Sequence, residues 1–192
     1  MGGTTDARGG TRQRMVLSAV ALLREGSASA VSIDAVLAHS GAPRGSVYHH
    51  FPGGRDEMIV EAVRFAGRSI ADLLDGAPTD DPGAVVSAFT AFWRQVLFDT
   101  DHRAGCPVLA LAIDSHGDDE SAGVVREVFA WWHTVLSRRL RLSGVAGERA
   151  DSFTTVAIAA AEGAVVLCRV QRCAQPLDHV EAALRALITR AE

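Results

Sequence analysis

The chain has 192 residues, 48% of them hydrophobic, which is long enough for one large domain or a small domain joined to a larger one and too apolar for global disorder. No apolar run reaches bilayer length and residues 1–10 lack the apolar stretch of a secretory signal, so neither a membrane nor a secreted protein is expected, and a cytoplasmic location follows. The formal net charge of −4 argues against a general nucleic-acid coat, yet residues 1–55 hold six arginines against Asp6, Glu25 and Asp34, while the remaining residues hold thirteen against twenty acids, so a DNA-facing N-terminus and a different task elsewhere are expected.

In chain order, residues 1–10 read as a flexible arm. Thr11 to Glu25 reads as a first helix, with Met15, Ala19, Leu22 and Leu23 on one apolar stripe, Thr11 as N-cap and Gly26 as terminator. Ser32 caps a second helix that turns Ile33, Val36 and Leu37 inward. Gly41 makes a tight turn, and Pro43 sits in the first turn of a third helix, whose Val47 and Phe51 face back toward the first two. Pro52-Gly-Gly54 stops the chain abruptly. Two short helices about a tight turn make a helix-turn-helix. The second of them, small at Gly45 and Ser46 and basic at Arg44, has little bulk to keep it out of a major groove.

Asp56 or Glu57 starts a fourth helix that runs to about Asp75, and the polar loop 76–82 leads to a fifth from about Gly83 to Asp99. A shorter helix spans Cys106 to about His116, a long one Asp119 to Leu142, an eighth Glu148 to Arg172 and a ninth Pro176 to Arg190. No strand and no repeat is expected, so the fold class is all-α with about nine helices. The expected domains are the arm at 1–10, a three-helix DNA-binding head at 11–55 and a larger helical body at 56–192. The cysteines, Cys106, Cys168 and Cys173, are odd in number and form no CxxC pair, so reduced thiols are expected, without a metal site or cofactor.

The stretch Thr11–Ile59, and within it Gly41-Ala-Pro-Arg-Gly-Ser-Val-Tyr-His-His-Phe-Pro52, resembles the TetR family of bacterial transcriptional repressors. Pro43-Arg44-Gly45, the Pro52-Gly-Gly54 break and Gly105-Cys-Pro107 resemble its lincomycin-resistance and flavonoid-responsive branch. Asp34-Ala35 departs from the basic–acidic pair of many relatives, which removes a phosphate contact. The resemblance implies a homodimer, each copy with a DNA head and, at 56–192, a helical ligand-binding and dimerisation body, released from an operator by a small hydrophobic or aromatic effector. Ser32 and the free N–H groups at its helix start can hold a phosphate. Tyr48 reads as a phosphate contact or as a core tyrosine, His49 resembles the family's phosphate contact, and Arg55 offers a further charge. Arg44 either reads a guanine edge or binds phosphate, Gly45 admits close approach, and Ser46 contacts base or backbone.

One head offers too little area for tight recognition, so a two-fold dimer on a near-palindromic double-stranded operator is expected. Val156, Ala160, Gly163 and Ala164 on the eighth helix, with Val180, Leu184 and Leu187 on the ninth, make either the dimer interface or an intramolecular core. Phe89, Trp93, Leu109, Ile113, Phe129, Trp132 and Phe153 line either a pocket for a flat apolar effector or a solid core. Glu162 lies in an otherwise apolar helix and needs a partner, a changed pKa, or an arginine across the dimer. Cys106 reads as a packing residue, or as a redox sensor favoured by its helix N-terminus. An enzyme is the least supported alternative: no nucleophile is paired with a base, and there is no glycine-rich phosphate loop and no HExxH.

Overall fold

A computed structural model describes residues 5–114 and 119–189. Among them are nine α-helices and no strand: α1 Thr5–Glu25, α2 Ile33–Ser40, α3 Val47–His50, α4 Gly54–Asp75, α5 Pro82–Asp99, α6 Pro107–Asp114, α7 Asp119–Leu142, α8 Gly147–Gln171 and α9 Gln175–Thr189. Short 3₁₀ turns at Ala28–Ala30 and Arg44–Ser46 precede α2 and α3. The expected ends of α6 and α9, His116 and Arg190, lie outside the described residues, as does the start of the expected arm, residues 1–4.

Two boundaries differ from expectation for identifiable reasons. The expected arm is helical from Thr5, so Thr11 lies inside α1 rather than capping it. Gly9 and Gly10 cost about 1 kcal/mol each against alanine, but with no proline beside them they do not end a helix. Pro43 lies outside the third helix, in extended conformation with φ −66° and ψ 135°. Ser46 donates its hydroxyl to Pro43 O at 2.6 Å and its backbone N–H to the same oxygen at 3.0 Å, so the residues after the proline close a tight 3₁₀ turn.

The helices pack as two compact units, one of residues 1–66 and 107–125, the other of residues 67–106 and 126–192. This division differs from a boundary at 55/56, because α6 and the first turns of α7 group with the N-terminal helices. In the first unit Met15, Ala19 and Leu23 of α1 are fully buried, with Val36, Val47 and Phe51, and Met58 and Val63 of α4. The stripe read from the sequence is therefore the core face of α1, although Leu22 is only half-buried. α1 packs on α2 and α6, and Asp114 at the end of α6 accepts from Ala28 N–H at 2.7 Å.

In the second unit α5, α8 and α9 pack on one another around Phe89, Trp93, Leu97, Val165, Leu177 and Leu184. Asp81 caps α5, accepting from Gly83 and Ala84 N–H. Glu181 of α9 accepts from Ser87 at 2.6 Å, Thr90 at 2.8 Å and Arg94 at 2.9 Å, which fastens α9 to α5. Burial alone raises that carboxyl's pKa; the bonds from Ser87, Arg94 and Thr90 outweigh it and hold Glu181 below its ordinary value. Gly67 of α4 meets α7 where a Cβ would lie 2.6 Å from Val128 Cγ1, and Trp132 Nε1 donates to Gly67 O at 2.8 Å. Glycine at 67 lets these two helices approach closely enough for that bond.

One expectation about length is corrected: by length and composition alone α8 is long and apolar enough to cross a bilayer, with mean hydropathy 1.6 over its best window. Only 44% of that window is buried. The apolar side chains divide between an inner face, including Phe153, Ala157, Ala161 and Val165, and an outer one bearing Val156, Val166, Leu167 and Val170.

Candidate nucleic-acid interface

The turn between α2 and α3 is set by three local devices. Ser32 Oγ accepts from Ala35 N–H at 3.1 Å, starting α2 as expected of an N-cap. Gly41 ends α2 in the left-handed region at φ 65° with its N–H on Leu37 O, a conformation that favours glycine. Pro43 and the 3₁₀ turn then aim α3, whose inner side chain Val47 is fully buried, as is Phe51 just beyond it.

Long-range contacts hold this short helix in place. The Arg12 guanidinium sits 5.1 Å from the centre of the Phe51 ring and pairs with Glu61 of α4 at 2.6 Å. His39 Nδ1 and Ser18 Oγ share a hydrogen bond of 2.9 Å between α2 and α1. Arg55 donates from Nε to Val31 O at 2.7 Å and from Nη2 to Ala28 O at 2.6 Å, and pairs with Asp56 at 2.9 Å. Its guanidinium therefore pins the start of α4 to the segment before α2, a role the sequence reading missed because its partners are backbone carbonyls with no sequence signature.

The opposite face is open. Arg44, Gly45, Tyr48 and His49 are exposed, Tyr48 to 67%, and Ser46 is half-buried. Tyr48 is thus not a core tyrosine; its ring edge runs past Gly54. A Cβ added at Gly45 would meet nothing within 4 Å, so nothing inside the chain requires glycine there. Arg44 is ion-paired with Asp34, both side chains about three-quarters exposed. That pair was not foreseen: Asp34 was read only as a lost phosphate contact, and ten residues of separation hide a partner that the turn brings beside it. Ser32 is exposed at the start of α2. The arrangement offers a guanidinium, a phenol hydroxyl, an imidazole and a bare backbone at one face, the inventory for phosphate and base-edge contacts.

The first unit also holds a cleft of about 490 Å³ lined by Arg55, Asp56, Ile59, Leu111, Asp114 and Glu120, among others. None of the expected pocket residues lines it, and four separate chain segments build it, so no local signal announces it.

The residues proposed for an effector lie as follows. On α6, in the first unit, Leu109 is half-buried and Ile113 is 60% exposed. In the second unit Phe89, Trp93 and Trp132 are buried and Phe129 is half-buried, its ring edge-on to Trp132 at 5.4 Å. Phe153 is buried beside Arg149, Val156 and Leu187, where it lines a shallow groove of about 210 Å³. Cys106 is 5% exposed, which leaves an oxidant little access.

Of the residues expected at a dimer interface, Val156 and Leu187 are about half exposed and Gly163 is exposed. Ala160 and Val180 are half-buried, whereas Ala164 and Leu184 are already buried within one chain. Val166 at 44%, Leu167 at 50% and Val170 at 77% extend the exposed apolar face of α8 and were missed. Their spacing with Val156 and Gly163 follows a helical stripe that the inner stripe of the same helix masks in the sequence.

Two family models match the chain: the tetR family of bacterial regulatory proteins over residues 16–62, and the C-terminal domain of LmrA/YxaF-like transcriptional regulators over residues 82–183. An HTH-type transcriptional regulator of Mycobacterium tuberculosis is 40% identical over 93% of this chain and 94% of its own length. The HTH-type transcriptional regulator LmrA of Bacillus subtilis is 28% identical over 95% of this chain and 98% of its own. The crystal structure of a TetR regulatory protein from Rhodobacter sphaeroides superposes with a TM-score of 0.82 at 21% identity, covering 91% of this chain and 96% of the other.

Proposed function

This chain belongs to the tetR family of bacterial transcriptional regulators, in its LmrA/YxaF-like branch, and from that premise we propose that it is a repressor released from a near-palindromic operator by a small apolar effector. The family's members are DNA-binding transcriptional regulators, not enzymes. The observation that carries the reading is the face of the turn: Arg44, Gly45, Tyr48 and His49 are exposed together on a helix braced from behind by Phe51, Arg12 and Arg55. In this reading Tyr48, His49, Ser46 and the helix start at Ser32 fix the register on phosphates. Arg44 reads a base edge, held by Asp34, and Gly45 lets the backbone approach the groove. Arg55 serves the head chiefly as its internal brace and adds what remains of its charge to the phosphate field.

Two copies associate through the exposed stripe of α8 and the outer side of α9. Val156, Ala160, Gly163, Leu167, Val170 and Leu187 supply the apolar surface and Gly163 the close approach, while Ala164, Val180 and Leu184 back it from within. The aromatic residues of the second unit receive the effector. It acts by binding more tightly to a dimer state whose two heads no longer fit successive grooves, since a ligand shifts an equilibrium only by its differential affinity. The protein works in the cytoplasm, where its operator lies.

A footprint of the purified protein on DNA flanking its own gene, repeated at two salt concentrations, tests this. A protected near-palindrome with steep salt dependence is expected. Protection of a single unsymmetric half-site would overturn the dimeric part of the reading, and no protection would overturn the operator part.

A further inference from the structure

Among the described residues of the second unit, five buried side-chain polar atoms have no hydrogen-bond partner: Trp93 Nε1 on α5, Arg139 Nε on α7 and, on α8, Thr154 Oγ1 and both carboxylate oxygens of Glu162. Trp93 and Thr154 are fully buried and Glu162 is 6% exposed. Native proteins pair nearly all such groups, and a buried carboxylate is the costliest of them to leave unpaired. Glu162 stands on the inner face of α8, with Phe153, Ala157, Ala161, Ala164, Val165 and Cys168. The one side chain that acts on it is the Cys106 thiol, a weak hydrogen-bond donor that favours the charged form; neither oxygen has a partner at full hydrogen-bonding geometry. Of the other unpaired atoms, the Trp93 indole can only donate and the Thr154 hydroxyl can do either.

We propose that Glu162 is the polar anchor of the effector site and that the effector it selects is an apolar molecule carrying a protonated amine. An ammonium against the carboxylate forms a charge-assisted hydrogen bond in a water-poor setting, where such bonds are strong. An anionic ligand meets repulsion in the same place, and a purely apolar one leaves both oxygens as they are. Burial pushes the Glu162 carboxyl up to about 7, against a weak opposing pull from Cys106, so the empty protein holds the group near half-protonation at neutral pH; a docked ammonium draws it to the charged form. The amine selects, while the aromatic residues around Trp93 and Trp132 supply the apolar contact.

The proposal rests on the reading of the second unit as an effector-binding body, and the experiment separates the two. Isothermal titration calorimetry of the full chain would use three probes that share one ring system: naphthylmethylamine, naphthylmethanol and naphthoate. At about pH 8, where the carboxylate is charged, the amine is expected to bind about tenfold more tightly than the alcohol, with naphthoate weakest. In Glu162→Gln the amine loses that advantage while the affinity for the alcohol stays within about twofold, the isosteric side chain preserving shape. Glu162→Asp keeps the charge and restores part of the preference, which guards against loss by misfolding, and circular dichroism confirms the helical content of each variant. Probes that bind without preferring the amine, or a preference that survives Glu162→Gln, would overturn the proposal and leave the effector-binding body standing. Absence of heat from all three probes would overturn both.

Discussion

The head and the body use their polar and apolar groups in opposite ways. In the head, half-buried charge serves as bracing: Arg12 reaches Glu61 and the Phe51 ring, Arg55 reaches two backbone carbonyls, and Val36 and Val47 turn inward from an exposed polar face. In the body, Glu162, Thr154 and Trp93 keep polar atoms buried without partners, while Val156, Val166, Leu167 and Val170 keep apolar side chains in water. In the first unit a single copy therefore presents a braced, exposed polar face. Elsewhere it carries two kinds of unmet demand, one internal and one external. The external demand is the kind that a second copy meets, and the internal one the kind that a small ligand meets.

The contrast is broken most severely at α8. Leu167→Glu combined with Val170→Glu places two charges in the exposed stripe; sedimentation velocity should show a folded monomer, and operator affinity should fall on the order of a hundredfold as one half-site contact is lost. A dimer that survives these changes would move the interface elsewhere. The next effect concerns Glu162. Its folded pKa of about 7 lies above its ordinary 4.5, so the native state holds the proton more tightly. The stability this contributes is fully present below about pH 4.5 and is lost as the pH rises through 7, amounting to about 3 kcal/mol between those limits. Urea unfolding at pH values on either side of that window should show the wild type losing this stability relative to Glu162→Gln. Parallel curves for the two proteins would mean that water or another group already satisfies the carboxylate.

The head answers to smaller changes. Gly45→Ala should lower operator affinity about tenfold, roughly 1.4 kcal/mol, with the melting temperature unchanged, because a Cβ there meets nothing in the free protein. An equal loss of stability and binding would mean that glycine serves the fold instead. Smallest is Ser32→Ala, which removes the cap of α2 and should cost about 1 kcal/mol of stability by thermal melting. Gel-shift titration should then show the weakened binding recovered when the same variant is assayed well below its melting temperature, unless Ser32 also holds a phosphate.

Much of this was legible in the amino-acid sequence because the signals are local. The cap at Ser32, the turn at Gly41, the stop after Phe51 and the apolar stripe of α1 each depend on residues within a few positions of one another, whereas the start of α1 at Thr5 and the place of Pro43 outside α3 differ from the local reading. The all-helical class and the family followed from those signals. The pairing of Arg44 with Asp34, the work of Arg55 on backbone carbonyls and the grouping of α6 with the N-terminal helices join segments whose separation carries no periodicity. The same holds for the two faces of α8. Its composition is apolar nearly all round, so the sequence could not separate the face that α5 and α9 cover from the one left in water. Only tertiary packing decided that Ala164 and Leu184 are inside, that Val166, Leu167 and Val170 are outside, and that Glu162 is enclosed without a partner. Local chemistry determines where a helix begins and ends; which of its sides is buried depends on what the rest of the chain brings against it.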